Sequence, residues 1–76
     1  MLIQILGTGC AKCEKLERNA AQAAHEMGLD AEVVKVKELS RIMEFGVMVT
    51  PALVVDGTVK VAGKVPSVDE IKKMLR

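Results

Sequence analysis

Two cysteines, Cys10 and Cys13, have the type and spacing that most directly suggest chemistry in this 76-residue sequence. The segment Cys10-Ala11-Lys12-Cys13 allows four interpretations: a dithiol that cycles through a disulfide, half of a zinc site, a clamp for a soft metal, or two buried structural thiols. A disulfide that closes so small a loop adds little stability, because the expected stabilisation grows with loop length. Any bridge between the two cysteines should therefore serve chemistry.

The surrounding sequence argues against two of these interpretations. A structural zinc ion needs four ligands, and beyond the two sulfurs the chain offers His25, at the far end of the first predicted helix, and scattered carboxylates. Two buried structural thiols are also disfavoured, since a glycine-rich turn between a strand and a helix is normally exposed. The redox-active dithiol and the soft-metal clamp remain. The dithiol requires neither a metal nor an organic cofactor.

The expected position of Cys10 favours redox chemistry. At the N-terminus of a helix, unpaired backbone N–H groups and the helix dipole stabilise a thiolate. Lys12 and Lys15 add positive charge nearby, and Glu14 partly opposes them. Cys13, one turn further along, should be shielded and less readily ionised, so we expect Cys10 to attack and Cys13 to resolve.

The elements that must position the cysteines follow from hydrophobic periodicity and from glycine and proline punctuation. The sequence predicts an α/β fold in the order β-α-β-α-β-β-α, with a mixed sheet and helices on both faces. An Asp56-Gly57 turn favours an antiparallel hairpin between the last two strands, and Ser67 with Glu70 forms a capping box. The predicted strands are Leu2–Leu6, Ala31–Val36, Ala52–Val55 and Thr58–Ala62, and the predicted helices are about Ala11–Met27, Glu38–Phe45 and a closing helix from Ser67 to Leu75.

Several apolar side chains are predicted to fill the core rather than to bind anything. In the second helix, Leu39, Ile42 and Met43 share a face and are expected to point inward. Methionines commonly fill irregular core gaps, which is the interpretation we give to Met27, Met43 and Met74.

Composition excludes several classes of function. A chain of 76 residues predicts one domain, residues 1–76. A net charge of +1, with one Phe and no Trp or Tyr, argues against nucleic-acid binding. The sequence has no apolar run of membrane-spanning length, and the opening Met1–Leu6 is too short for a secretory signal, so we expect a cytoplasmic protein without a membrane partner.

The Cys-x-x-Cys at a strand-to-helix junction, Thr50-Pro51 before a hairpin, and the closing helix together resemble the thioredoxin superfamily. The closest likeness is to its short members, the small redox-active disulfide proteins, and it covers essentially the whole chain. The resemblance implies a minimal thioredoxin fold with a four-stranded mixed sheet, a nucleophilic Cys10 and a resolving Cys13. It also implies a cis Pro51 beside the disulfide, with the backbone of Thr50 available to substrate.

By the same resemblance, Gly9, Ala11, Lys12 and Gly63 border the bound substrate. The implied function is that of a thiol–disulfide oxidoreductase, acting as a monomer on protein disulfides and recharged by a disulfide reductase. Three departures from the thioredoxin pattern bear on the potential and the proton route. Gly9 replaces the usual tryptophan, Ala11-Lys12 replaces Gly-Pro, and Gln4 stands where thioredoxins carry a buried acid.

A second family offers an alternative function. The segment Gly7-Thr8-Gly9-Cys10-Ala11-Lys12-Cys13 also resembles the loop of heavy-metal-associated domains, and thiolates suit Cu(I), so a copper metallochaperone is the alternative. Those domains usually carry a methionine where this chain has Thr8, and they place their hairpin directly after the first helix. Here a second predicted helix intervenes, which favours the redox interpretation.

Overall fold

The computed structural model describes residues 1–9 and 11–76. Within these residues the chain forms strands and helices in the order that the sequence predicts. The strands are β1 (Leu2–Leu6), β2 (Glu32–Val36), β3 (Ala52–Val55) and β4 (Thr58–Ala62), and the helices are α1 (Ala11–Glu26), α2 (Leu39–Glu44) and α3 (Val68–Met74). The differences from the predicted bounds amount to one or two residues at the ends of elements.

The strands form one mixed sheet in the order β2-β1-β3-β4. β1 pairs in parallel with β2, across the crossover made by α1, and pairs antiparallel with β3. β3 and β4 pair antiparallel through the Asp56-Gly57 turn, where both residues have positive φ, at 48° and 84°. These are the backbone angles that a tight two-residue hairpin requires, and the hairpin prediction is confirmed.

The two faces of the sheet carry separate apolar clusters, because side chains alternate along each strand. Ile3 and Ile5 of β1 pack with α1 and α3 on one face, whereas Leu6 packs with Ile42 of α2 on the other. The prediction of helices on both faces is therefore confirmed. The first cluster includes one face of α1, and its buried residues are Ile3, Ile5, Leu16, Ala20, Ala23, Ala24, Leu53, Val55, Ile71 and Leu75.

One part of the core prediction is wrong. Leu39 and Met43 are 64% and 65% exposed, while Ile42 is 1% exposed and is the one buried residue of α2. A helix of six residues makes fewer than two turns, so it presents little more than one side chain to the sheet beneath it. Met27 and Met74 do pack against the core, as predicted.

The turn between β4 and α3 is held in place by a capping box at the start of α3 and by a hydrogen bond from α1. Ser67 and Glu70 form the predicted capping box, with Glu70 N donating to Ser67 Oγ at 3.2 Å. The backbone N–H of Ser67 donates to the Glu70 carboxylate and holds the pKa of that group below its ordinary value. Asn19 Nδ2 of α1 donates to the Pro66 carbonyl at 3.0 Å, which fixes the turn between β4 and α3 against the first helix.

Candidate active site

Strand register brings three loops to one edge of the sheet. Leu6 of β1 lies opposite Ala52 of β3, and Ala52 lies opposite Ala62 of β4. The residues just beyond these pairs are therefore neighbours, namely Gly7 before the cysteine loop, Pro51 before β3, and Gly63 after β4. The backbone N–H of Gly63 donates to the Pro51 carbonyl at 2.8 Å, which ties two of the loops together.

The Thr50–Pro51 peptide bond is cis, which confirms that prediction. Pro51 is buried and Thr50 is exposed. Gly63 helps to seat this loop because it carries no side chain: with φ at 79°, a Cβ there would lie 2.9 Å from Val49 Cγ2. Gly63 thus has a structural contact as well as its predicted place beside the substrate.

Cys13 lies in the first turn of α1 and is 6% exposed, so its predicted shielding is confirmed. Its sulfur packs directly against Gly7, where an added Cβ would fall 2.2 Å from Cys13 Sγ. This contact was not predicted from the sequence. Cys10 lies outside the described residues, so its geometry and its predicted partnership with Cys13 stay predictions.

The other predicted substrate-binding residues lie on the surface. Ala11 and Lys12 begin α1 and are exposed, and Gly9 is exposed with φ at 92°. A partner can reach all three, and their role in binding remains a prediction.

A small cavity of about 70 Å³ is lined in part by Cys13. It is bounded by the end of β1, the start of α1 and the end of β2. Its lining residues are Ile5, Gly7, Gly9, Cys13, Glu14, Lys35 and Lys37. A buried thiol therefore shares this space with one acidic and two basic side chains.

A larger apolar groove of about 520 Å³ lies on the α2 side of the same edge. Its walls include Thr8, from the cysteine loop, and Thr50, from the cis-proline loop. Leu39 and Met43 expose most of their surface here, and Met48 is 96% exposed. The complete lining is Thr8, Leu39, Ile42, Met43, Gly46, Val47, Met48 and Thr50.

Sequence reasoning missed this groove. One signal could have indicated it: the apolar segment Val47-Met48-Val49 lies between α2 and β3 without belonging to either. Val47 is buried in the cluster around Ile42, whereas Met48 is 96% exposed, and exposed apolar residues that form a patch often line a binding surface.

The part of the chain that the structure describes contains no helix both long and apolar enough to cross a membrane.

Comparison with known proteins identifies the family. A family model described as a thioredoxin domain matches residues 1–76. A thioredoxin of Methanothermobacter thermautotrophicus is 53% identical over 75 residues, which cover 99% of this chain and 97% of that protein. A thioredoxin of Methanocaldococcus jannaschii is 45% identical over 76 residues, covering 100% of this chain and 87% of that protein.

Nothing in these comparisons supports the alternative of copper delivery. They imply disulfide substrates and a reductase partner. The chain belongs to the thioredoxin family and is a protein-disulfide oxidoreductase.

Proposed function

We propose that this oxidoreductase reduces protein disulfides through Cys10 and Cys13, with Cys10 as the attacking and Cys13 as the resolving residue. The Cys10 thiolate attacks one sulfur of the substrate disulfide, and the other substrate sulfur leaves as a thiolate. Cys13 then attacks the Cys10 sulfur, which releases the second substrate sulfur. Two electrons pass to the substrate, and a reductase partner restores the dithiol.

The single observation that carries this division of roles is the burial of Cys13. With 6% of its surface exposed and its sulfur against Gly7, Cys13 is shielded from a disulfide on the surface of another protein. It can act only on a sulfur that a neighbouring part of the chain brings to it. A neighbour three positions earlier in the sequence supplies that sulfur.

The apolar groove supports a polypeptide as the substrate. It extends from Thr8 to Thr50, so it borders both the cysteine loop and the cis-proline loop. We propose that the substrate lies along this edge as an extended segment, with apolar side chains against Leu39 and Met43. The backbone of Thr50, which is an exposed residue, then pairs with the substrate backbone, and Gly9, Ala11, Lys12 and Gly63 border the substrate disulfide.

We also propose that the protein acts as a single-domain monomer in the cytoplasm, without a metal or organic cofactor. The net charge of +1 and the near absence of aromatic residues support a protein partner rather than nucleic acid or membrane. Thiol–disulfide exchange itself needs only a thiolate, a resolving thiol and access.

Variants of the two cysteines test the proposal. The wild-type protein should reduce insulin with a dithiol as electron source, and both Cys10→Ser and Cys13→Ser should abolish turnover. Cys13→Ser should accumulate mixed disulfides through Cys10, because no resolving thiol follows the attack. Cys10→Ser should accumulate none.

Two results would contradict the proposal. Faster alkylation of Cys13 than of Cys10 in the reduced protein would reverse the roles. Absence of exchange with any disulfide, together with tight Cu(I) binding and transfer to an acceptor protein, would favour the metallochaperone instead.

A further inference from the structure

The cavity beside Cys13 connects the buried thiol to charged groups. Its volume of about 70 Å³ exceeds the roughly 10–15 Å³ that a water molecule needs. The cavity wall includes Cys13 together with Glu14, Lys35 and Lys37. Water in this space can therefore lie beside both Cys13 and Glu14.

The resolving step creates a need for a proton acceptor. Cys13 must lose its proton before its sulfur attacks, and burial restricts direct transfer to bulk solvent. Gln4 is 9% exposed, and its amide is a poor proton acceptor at neutral pH. Alternation along β1 also places Gln4 on the α2 face with Leu6, whereas the cavity lies on the face of Ile5.

We propose that Glu14 accepts the proton of Cys13 through water in this cavity. The inference rests on the proposed roles of Cys10 and Cys13. Among the side chains that line the cavity, Glu14 carries the carboxylate, and the other two charged groups are ammonium ions. Glu14 follows Cys13 in α1 and is exposed, so its carboxylate can exchange a proton with bulk solvent.

The charges around the cavity suit this transfer. Moving a proton from the thiol to the carboxylate moves one negative charge from Glu14 to the Cys13 sulfur. Lys35 and Lys37 lie in the same wall, so both the initial and the final anion have cations nearby. Glu17, one turn along α1, pairs with Lys35 at 3.3 Å, and β1 contributes no titratable side chain to the lining.

The step is balanced in atoms and electrons. The Cys13 S–H bond breaks and the proton passes to Glu14. The sulfur electron pair forms the bond to Cys10, while the bond between Cys10 and the substrate sulfur breaks. The substrate sulfur leaves as a thiolate, takes a proton from solvent, and is reduced as the two cysteines are oxidised. Glu14 then returns its proton to solvent.

Stopped-flow mixing of the reduced protein with one equivalent of 5,5′-dithiobis(2-nitrobenzoate) separates the two steps. Attack by Cys10 releases the first thionitrobenzoate, and resolution by Cys13 releases the second. Glu14→Gln should slow the second release by about tenfold or more near neutral pH, as expected for loss of a positioned proton acceptor. The defect should shrink as pH rises, because hydroxide then removes the proton, and the first release should not be slowed.

Glu32→Gln is the matched control. It removes the same charge from the opposite end of β2 and does not line the cavity, so both releases should keep their wild-type rates. Glu14→Asp should recover part of the lost rate because it retains a carboxylate.

If Glu14 acted only through its charge, Glu14→Gln would change the rate of the second release in the opposite direction. Removing a negative charge beside Cys13 favours its thiolate, which would speed the second release. An unchanged or faster second release in Glu14→Gln would overturn the inference and leave the roles of the cysteines intact. Absence of a second release in the wild-type protein would overturn those roles, and the inference with them.

Discussion

At the scale of single residues, Gly7 determines how the Cys13 thiol is buried. The side chain of Cys13 packs where any residue other than glycine at position 7 would place its Cβ. The cysteine spacing was enough to predict a shielded Cys13, because it places this residue within the first turn of the helix rather than at its start. The contact with Gly7 could not be predicted, because it depends on how closely α1 approaches the end of β1.

We expect Gly7→Ala to destabilise the protein and to impair resolution. A methyl group 2.2 Å from Cys13 Sγ forces the sulfur or the backbone to move, and overpacking of this kind typically costs about 1–3 kcal/mol. Urea unfolding of the reduced protein measures the loss of stability, and the second release of thionitrobenzoate measures the effect on resolution.

The same substitution in a Cys13→Ala background provides the control. With the sulfur removed, the alanine methyl at position 7 meets less obstruction, so the two changes should be strongly non-additive. Additive losses in this double-mutant cycle would show that the cost of Gly7→Ala arises elsewhere.

At the scale of elements, α2 shows what periodicity can and cannot predict. The pattern of Leu39, Ile42 and Met43 correctly indicated a short helix that ends before Gly46. It could not distinguish a face that packs on the sheet from a face that borders a groove, since both are apolar. The inward faces of the longer α1 and of the capped α3 were easier to predict. In each of them, inward-facing apolar residues recur along more of the helix.

The junction of α1 and α3 gives a prediction about acid. Glu26 of α1 pairs with Lys72 of α3 and accepts a hydrogen bond from Gln22 Nε2 at 2.7 Å. The Lys72 hydrogen bond, followed by that of Gln22, holds the pKa of Glu26 below its ordinary value. The folded state therefore binds fewer protons at Glu26 than the unfolded state does.

The contribution of this pair to stability is complete above the ordinary glutamate range and is lost as pH falls through the lowered pKa of Glu26. At the alkaline end, Glu26 raises the pKa of Lys72, so the contribution is lost as pH rises through that raised value. Glu26→Gln should lower the urea midpoint at neutral pH, and its difference from wild type should shrink in acid.

Glu44→Gln removes the same charge from α2 and serves as the control for Glu26→Gln. Its difference from wild type should be small at neutral pH and in acid, as is usual for surface substitutions. A Glu26→Gln deficit that persists unchanged well below the glutamate range would contradict the role assigned to the ion pair.

At the scale of the whole molecule, the order of elements was predictable because turn residues separate most of the strands and helices. Asp56-Gly57 required a hairpin, and the helical stretch between β1 and β2 required a parallel crossover. The meeting of Gly7, Pro51 and Gly63 at one edge of the sheet could not be predicted in this way. It depends on β1 lying between β2 and β3, which local patterns do not encode and which the family resemblance supplied.

The groove gives a prediction that involves the whole molecule, since the cysteine loop, the cis-proline loop and α2 together build it. Met43→Gln should raise KM for insulin reduction by about fivefold, if the bound substrate contributes about 1 kcal/mol of apolar contact there. Because Met43 is 65% exposed, the substitution should leave the urea midpoint nearly unchanged. Release of thionitrobenzoate from the small aromatic disulfide should also be unchanged, since that reaction needs the cysteines and little of the groove.

Val59→Thr, at an exposed apolar position on β4 outside the groove, is the matched control and should retain the wild-type KM. An equal loss of rate with both disulfides in Met43→Gln would place the defect at the cysteines, and an unchanged KM for insulin would remove the groove from substrate binding.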